Sequence, residues 1–297
     1  MVKALGQDPP TSSDLTAMEG PTQLELAAWA AGIPMPRPCL VPGTSTGLAV
    51  IIEPGLASLL VRVHEWVDGG LASAPATQEL AAALGGALAA LHGLQVPSGP
   101  DAQVDRWYRA THGEAHWRQL ADRSAHAGRG WAWRLEAALP LLAEVETMVA
   151  ARDAEAVPMR VCHSDLVPGN VLVTADGRPL LLDWDDAGPW NTTEELAAAV
   201  VSWSTGPQGE PCDQVAAAMV QGYRRAGGMI DATSPTVLAG SVSAVANWLE
   251  LNLRYGLDST AEDRATQRAE AEVTHALDEL AWRMTWRQRW TDLLLGY

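Results

Sequence analysis

Three oxygen-bearing side chains fall close together in the middle of the chain: Asp165, Asn170 and Asp183. They lie in Val161-Cys162-His163-Ser164-Asp165-Leu166-Val167-Pro168-Gly169-Asn170-Val171-Leu172 and in Leu182-Asp183-Trp184-Asp185. A carboxylate and a carboxamide on one loop, with another carboxylate just beyond, suit a hard divalent cation such as Mg2+, which prefers these oxygens to nitrogen or sulfur. Asn170 and Asp183 are the candidate metal ligands. Moving the γ-phosphoryl group of ATP to a hydroxyl also needs a carboxylate that accepts the hydroxyl proton, and Asp165 is the candidate base. Asp and Asn also satisfy ordinary turn hydrogen bonds. What favours chemistry is that several residue types are fixed across two strands at once.

These groups have to be positioned by their neighbours. Val171-Leu172-Val173 and Leu180-Leu181-Leu182 read as short strands joined by a turn containing Asp176-Gly177, a strong hairpin signal that would return Asp183 to the side of Asp165 and Asn170. Upstream, Gln23 to Ala31 reads as a short helix ended by Gly32, Pro34 and Pro36. Leu48 to Glu53 and Leu59 to Glu65 read as a hairpin about Pro54-Gly55, and Trp66 to Gly70 as a hinge. Thr77 to Leu94 places Leu80, Leu84, Leu88 and Leu91 on one helical face. Residues 104–134 read as Trp-rich helix, and Leu135 to Ala151 continues it to a break at Pro158. Beyond Asn191 the texture is helical again: Thr192 with Glu195 suggests a capping box, followed by helices at Cys212 to Arg225, Ser241 to Tyr255 and Glu262 to Leu295.

With these residues in place, the chain resembles the aminoglycoside phosphotransferase and choline kinase group of kinase-like enzymes. Their pattern is His-x-Asp-x-x-x-x-Asn, a hairpin, then an apolar-Asp-aromatic-acidic run; His163, Asp165, Asn170, Asp183 and Asp185 match it. The resemblance implies that Asp165 is the catalytic base, that Asn170 and Asp183 bind magnesium and that His163 braces the loop, with Asp185 as a further brace. It implies an α+β, protein-kinase-like two-lobed fold: a small β-containing lobe over residues 1–66 and a mostly helical lobe over 67–297, with ATP between them.

The N-terminal end departs from the pattern. No glycine-rich hairpin precedes the expected lysine strand, so the small lobe is expected to be N-terminally incomplete, either because the start lies too far downstream or because part of the nucleotide lid has been lost. If Met1 to Leu5 is that strand, Lys3 contacts the nucleotide phosphates and Glu25, or failing that Glu19, is its partner.

The composition restricts the possible partners. A net charge of -16 disfavours nucleic acid and anionic membranes, and permits a cationic small molecule. No run approaches a membrane span, no secretion signal opens the chain, and the scattered Cys39, Cys162 and Cys212 form no metal or disulfide spacing, so a cytoplasmic protein is expected. With 13 Trp and no Phe, the large aromatic positions fall mainly to Trp; Trp107, Trp117, Trp131 and Trp133 belong to the core or to a substrate wall. The expected activity is Mg-ATP-dependent O-phosphorylation of a small molecule, an aminoglycoside first. The alternatives are a binding module without productive ATP use, and a hydrolase holding another metal through His163, Asp165, Asp183 and Asp185.

Overall fold

The run Leu59-Leu60-Val61-Arg62-Val63, rich in Leu and β-branched residues, forms the central strand of a small antiparallel sheet. This strand, β3 (Leu59–Val63), is flanked by β1 (Val2–Leu5) and β2 (Leu48–Ile51). Lys3 and Leu48 both stand opposite Arg62 in the register. The computed structural model describes residues 2–5, 18–42, 47–51, 59–94, 96, 105–109, 112–153, 159–231, 236–258 and 263–296. The polar opening, the turn at Pro54-Gly55 and the Pro158 break lie outside them.

Between β1 and β2 runs α1 (Glu19–Ala30). Its buried Leu24 and Ala28 belong to the main core, which also draws on α2 (Gln78–Gly93), α5 (Thr192–Ser204) and α6 (Asp213–Arg225). Helices α2 and α6 cross backbone to backbone. A methyl group on Gly85 would collide with the carbonyl of Met219, and one on Gly222 with that of Ala82, so only glycine permits this approach. A second core joins α3 (Glu114–His126), α4 (Ala132–Asp153), α7 (Ala239–Leu257) and α8 (Asp263–Thr285), with α9 (Arg287–Leu295) closing against the first. Six of the 13 tryptophans are essentially fully buried. Each removes roughly 4–6 kcal/mol worth of apolar surface from water. These two clusters make up the helical body of the molecule.

Two small antiparallel arrays sit on this body. One is β4 (Gly70–Leu71) with β6 (Val171–Val173) and β7 (Pro179–Leu181); the other is β5 (Arg160–Cys162) with β8 (Gly188–Trp190). The expected hairpin is present: β6 pairs with β7 from Val171↔Leu181 to Val173↔Pro179, and Gly177 takes the positive φ of 82° that its turn requires.

Four local expectations change. The Trp-rich stretch is not one helix: a short 3-10 turn at Arg106–Tyr108 precedes α3, and Gly113 (φ 81°) and Gly128 (φ 63°) bound that helix. Trp117 and Trp131 are core, Trp107 lines the cleft described below, and Trp133 is 72% exposed. The cap of α5 is Asn191, which accepts from the N–H groups of Thr193 and Glu194; Thr192 does not cap it, and Glu195 is engaged elsewhere. The last helix breaks at Trp286 into α8 and α9. Among the described residues, no helix is long and apolar enough to cross a membrane.

Candidate active site

Strand β5 delivers His163, Ser164 and Asp165, a 3-10 turn (Pro168–Asn170) delivers Asn170, and the end of β7 delivers Asp183. Asn170 donates from Nδ2 to Asp165 Oδ2 at 2.5 Å and to the Asp165 carbonyl at 3.1 Å, while Leu182 N–H donates to the Asn170 carbonyl at 2.9 Å. The loop and the returning strand are thus stitched together at the two candidate metal ligands. Ser164 (φ 70°) and Asp183 (φ 61°) are the two described non-glycine residues with positive φ, and both are in this site. Such conformations persist only where the surroundings over-determine them.

Here the surroundings do so. His163, fully buried, donates from Nε2 to the Leu182 carbonyl at 3.0 Å, accepts the Asp165 N–H at Nδ1 at 3.3 Å, and packs against Trp184. Both ring nitrogens are committed, which leaves none for a metal and removes His163 from the ligand set of the hydrolase alternative. Glu195 of α5 accepts the Ser164 N–H at 2.6 Å and a hydrogen bond from His92 Nε2 at 2.6 Å. Burial alone would push the Glu195 carboxyl up, but these hydrogen bonds, that from His92 foremost, hold it below the usual carboxylate range. Tyr108 stacks on Trp190 and donates its hydroxyl to the Ser164 carbonyl at 3.0 Å. Trp203 Nε1 donates to the Leu166 carbonyl at 2.8 Å.

On the other side stand cations from the small sheet. Lys3 contacts both Asp183 and Asp185. Burial works against its ammonium, but the two carboxylates outweigh it and hold Lys3 above its ordinary value. The expected Lys3–Glu25 pair is not what forms. Glu25, 1% exposed, accepts from His64 Nε2 at 2.5 Å and faces Arg62 Nη1 at 3.7 Å. Glu25 is occupied by His64 and faced by Arg62, which stands directly opposite Lys3 in the sheet, while Lys3 pairs with the aspartates.

Asp165, Asp185 and Asp186 open onto a cleft of about 810 Å3 whose walls include Asp105, Trp107, Tyr108, Trp248, Glu279 and Arg283. Burial, reinforced by Asp183, pushes Asp165 up despite His163 and the Asn170 hydrogen bond. A carboxylate raised in this way is a better proton acceptor. Asp186, at the solvent-open mouth, is pushed up to about 6 by partial burial and by its neighbours Asp165, Asp183 and Asp185. Asn170 and Asp183 offer only hard oxygen donors, which fit Mg2+ or Ca2+ better than a soft metal.

Sequence reasoning did not single out Arg62, Tyr108 or Trp203, and it read Glu195 only as part of a helix cap. Arg62 carried a usable signal, a lone charge inside an apolar strand; Glu195 did too, an acid on an otherwise apolar helix face.

Comparison with known proteins now has a geometry to explain. Curated protein sequences return no match. Among solved structures, an aminoglycoside phosphotransferase from Alicyclobacillus acidocaldarius superposes with a TM-score of 0.61 at 16% identity, covering 97% of this chain and 86% of that one. A microcompartment-associated aminopropanol kinase gives 0.60 at 16% identity over 96% and 85%, and an amicoumacin kinase in complex with AMP-PNP and Ca2+ gives 0.58 at 17% over 89% and 78%. These likenesses establish the kinase-like α+β fold. The model of the phosphotransferase enzyme family matches residues 7–229. The chain is therefore a member of that family, an enzyme that transfers phosphoryl groups to hydroxyl-bearing small molecules.

Proposed function

We propose that the chain transfers the γ-phosphoryl group of ATP, with Mg2+, to a hydroxyl of a small amine-bearing molecule. The observation that carries this is Asp165, a carboxylate raised above its ordinary pKa, bonded to Asn170 and facing an acidic, aromatic cleft. The acceptor oxygen bonds to the γ-phosphorus as the bond to ADP breaks, and the hydroxyl proton passes to Asp165. Mg2+, when bound, would supply the charge that offsets the phosphates, and Asn170 and Asp183 would hold it. His163 keeps Asp165 and the Leu182 carbonyl in register, and Asp185 holds Lys3 beside the phosphate position. Lys3 is the cation that meets the nucleotide, and Glu25 supports the site through Arg62.

The acceptor class follows from the walls of the cleft. Asp105, Asp186 and Glu279 are acidic, Trp107 and Trp248 are aromatic, and the cation Arg283 is committed to Ser241 and Glu279. Acid and aromatic faces together suit an ammonium group. Aminoglycosides are the first acceptor class and simple amino alcohols the second, in keeping with the names of the solved structures that share the fold. The setting is cytoplasmic, where ATP and free thiols coexist.

The test is ATP-dependent phosphorylation of a panel of aminoglycosides, amino alcohols, sugars and macrolides, with and without Mg2+. Phosphorylated product with an amine-bearing acceptor is expected, falling about a hundredfold or more in Asp165→Ala. Turnover unchanged by that substitution would remove Asp165 as the base.

A further inference from the structure

We propose that Arg62, beside the His64 hydrogen bond at 2.5 Å, has taken the place at Glu25 that Lys3 would otherwise fill, so that Glu25, Arg62 and Asp185 form the frame joining the small sheet to the Asp183 turn. Lys3 and Arg62 are direct cross-strand partners and so share one face of the sheet. Two like charges in that position repel, and they divide the surrounding acids between them. Lys3 takes Asp183 and one oxygen of Asp185. Arg62 takes the other oxygen of Asp185 at 3.1 Å from Nη1, with Glu25 at 3.7 Å, and donates from Nη2 to Thr22 Oγ1 at 3.0 Å. A single guanidinium thereby reaches α1, where Thr22 and Glu25 lie, and the stretch after β7, where Asp185 lies.

The residue type matters. Arg62 is 2% exposed, too deep for a flexible, strongly hydrated ammonium to be held as well, and its planar fork spreads its donors over Thr22, Glu25 and Asp185 on two elements where an ammonium concentrates them at one point. Its Nε and Nη1 make no hydrogen bond among the described residues, so the guanidinium is held there by charge and by its remaining contacts. Arg62 is thus a positioning residue. It fixes Asp185 and α1, and leaves Lys3 on Asp183 and Asp185 beside the proposed nucleotide position.

The nucleotide part of this inference rests on the phosphotransfer reading; the pairing does not. Two double-mutant cycles separate the possibilities, one combining Glu25→Gln with Arg62→Met, the other Glu25→Gln with Lys3→Met. Each is read by ligand-free melting temperature and by calorimetric affinity for a non-hydrolysable ATP analogue with Mg2+. Glu25→Gln and Arg62→Met are each expected to weaken the analogue about tenfold, with the double variant no worse than the poorer single, while losses from Glu25→Gln and Lys3→Met multiply. Arg62→Met leaves the buried Glu25 with His64 but without the guanidinium and is expected to melt lower; the double variant removes both charges and recovers part of that loss. Arg62→Lys, which keeps the charge without the fork, should recover melting temperature more than affinity. Additive losses for Glu25 and Arg62 with coupled losses for Glu25 and Lys3 would overturn the assignment, as would wild-type affinity in Arg62→Met. If the wild type binds no nucleotide, the phosphotransfer reading fails, and the ligand-free melting cycles alone decide whether Glu25 is coupled to Arg62 or to Lys3.

Discussion

The loop at residues 163–170 and the turn at residues 183–186 face each other across one site, yet they are held in different ways. The first hangs from backbone hydrogen bonds given or taken by deeply packed side chains: Glu195 and Tyr108 on Ser164, Trp203 on Leu166, His163 on Leu182. The second is held largely by ion pairs to Lys3 and Arg62, side chains of a three-stranded sheet. Buried backbone bonds rooted in a packed core respond little to salt or pH, whereas charge pairs near solvent respond to both. The division suits the phosphotransfer reading proposed above, in which Asp165 as base keeps one geometry while the nucleotide side has to exchange its cations.

The largest effect expected from breaking this contrast comes from Glu195→Ala. It removes the acceptor for the Ser164 N–H and for His92 in a fully buried setting, and should cost about 3 kcal/mol in denaturant unfolding. Turnover should fall while nucleotide affinity stays near wild type, since the damage is confined to the loop. A smaller effect is expected from Tyr108→Phe, which keeps the stack on Trp190 and loses only the bond to the Ser164 carbonyl. About 1 kcal/mol of stability and a severalfold loss of turnover should follow.

How far these two halves could be read from the sequence differs for the same physical reason. The Asp165, Asn170 and Asp183 arrangement was legible because a tight hairpin converts short sequence spacing into spatial proximity. The helical body was legible from the apolar spacing of Leu84, Leu88 and Leu91. Glu195 was misread as part of a cap because local spacing cannot reveal that Asn191 already satisfies the helix end, nor that Ser164, 31 residues away in sequence, needs an acceptor. The Lys3–Glu25 pair failed on register: only the pairing of β1 with β3 brings Arg62 between them.

The smallest expected effect sharpens the comparison on the charged side. Asp186 is held at about 6 in the folded chain against an ordinary value near 3.8. Between those values the folded state keeps a proton that the unfolded state has released, so stability falls as pH rises through this window. Asp186→Asn mimics the protonated form. Its melting temperature should match the wild type below about pH 4 and exceed it modestly above about pH 7, because solvent at the cleft mouth screens much of the repulsion. A difference independent of pH would assign the effect to something other than this carboxyl.

The glycine crossing of α2 and α6 has a consequence at a distance. With no side chain between the backbones at Gly85 and Gly222, the two helices are set at a fixed separation with no rotamers to absorb a change. Helix α2 carries His92 and α6 carries Tyr223; His92 hydrogen-bonds the Tyr223 hydroxyl at 2.8 Å and, through its other nitrogen, Glu195. A single methyl at either glycine would therefore act as a wedge whose far end is Ser164. Randomising the cleft walls at Trp107 or Trp248 leaves that mechanical linkage alone, whereas drift at Gly85 or Gly222 would detune the proposed proton acceptor without touching a single atom of it.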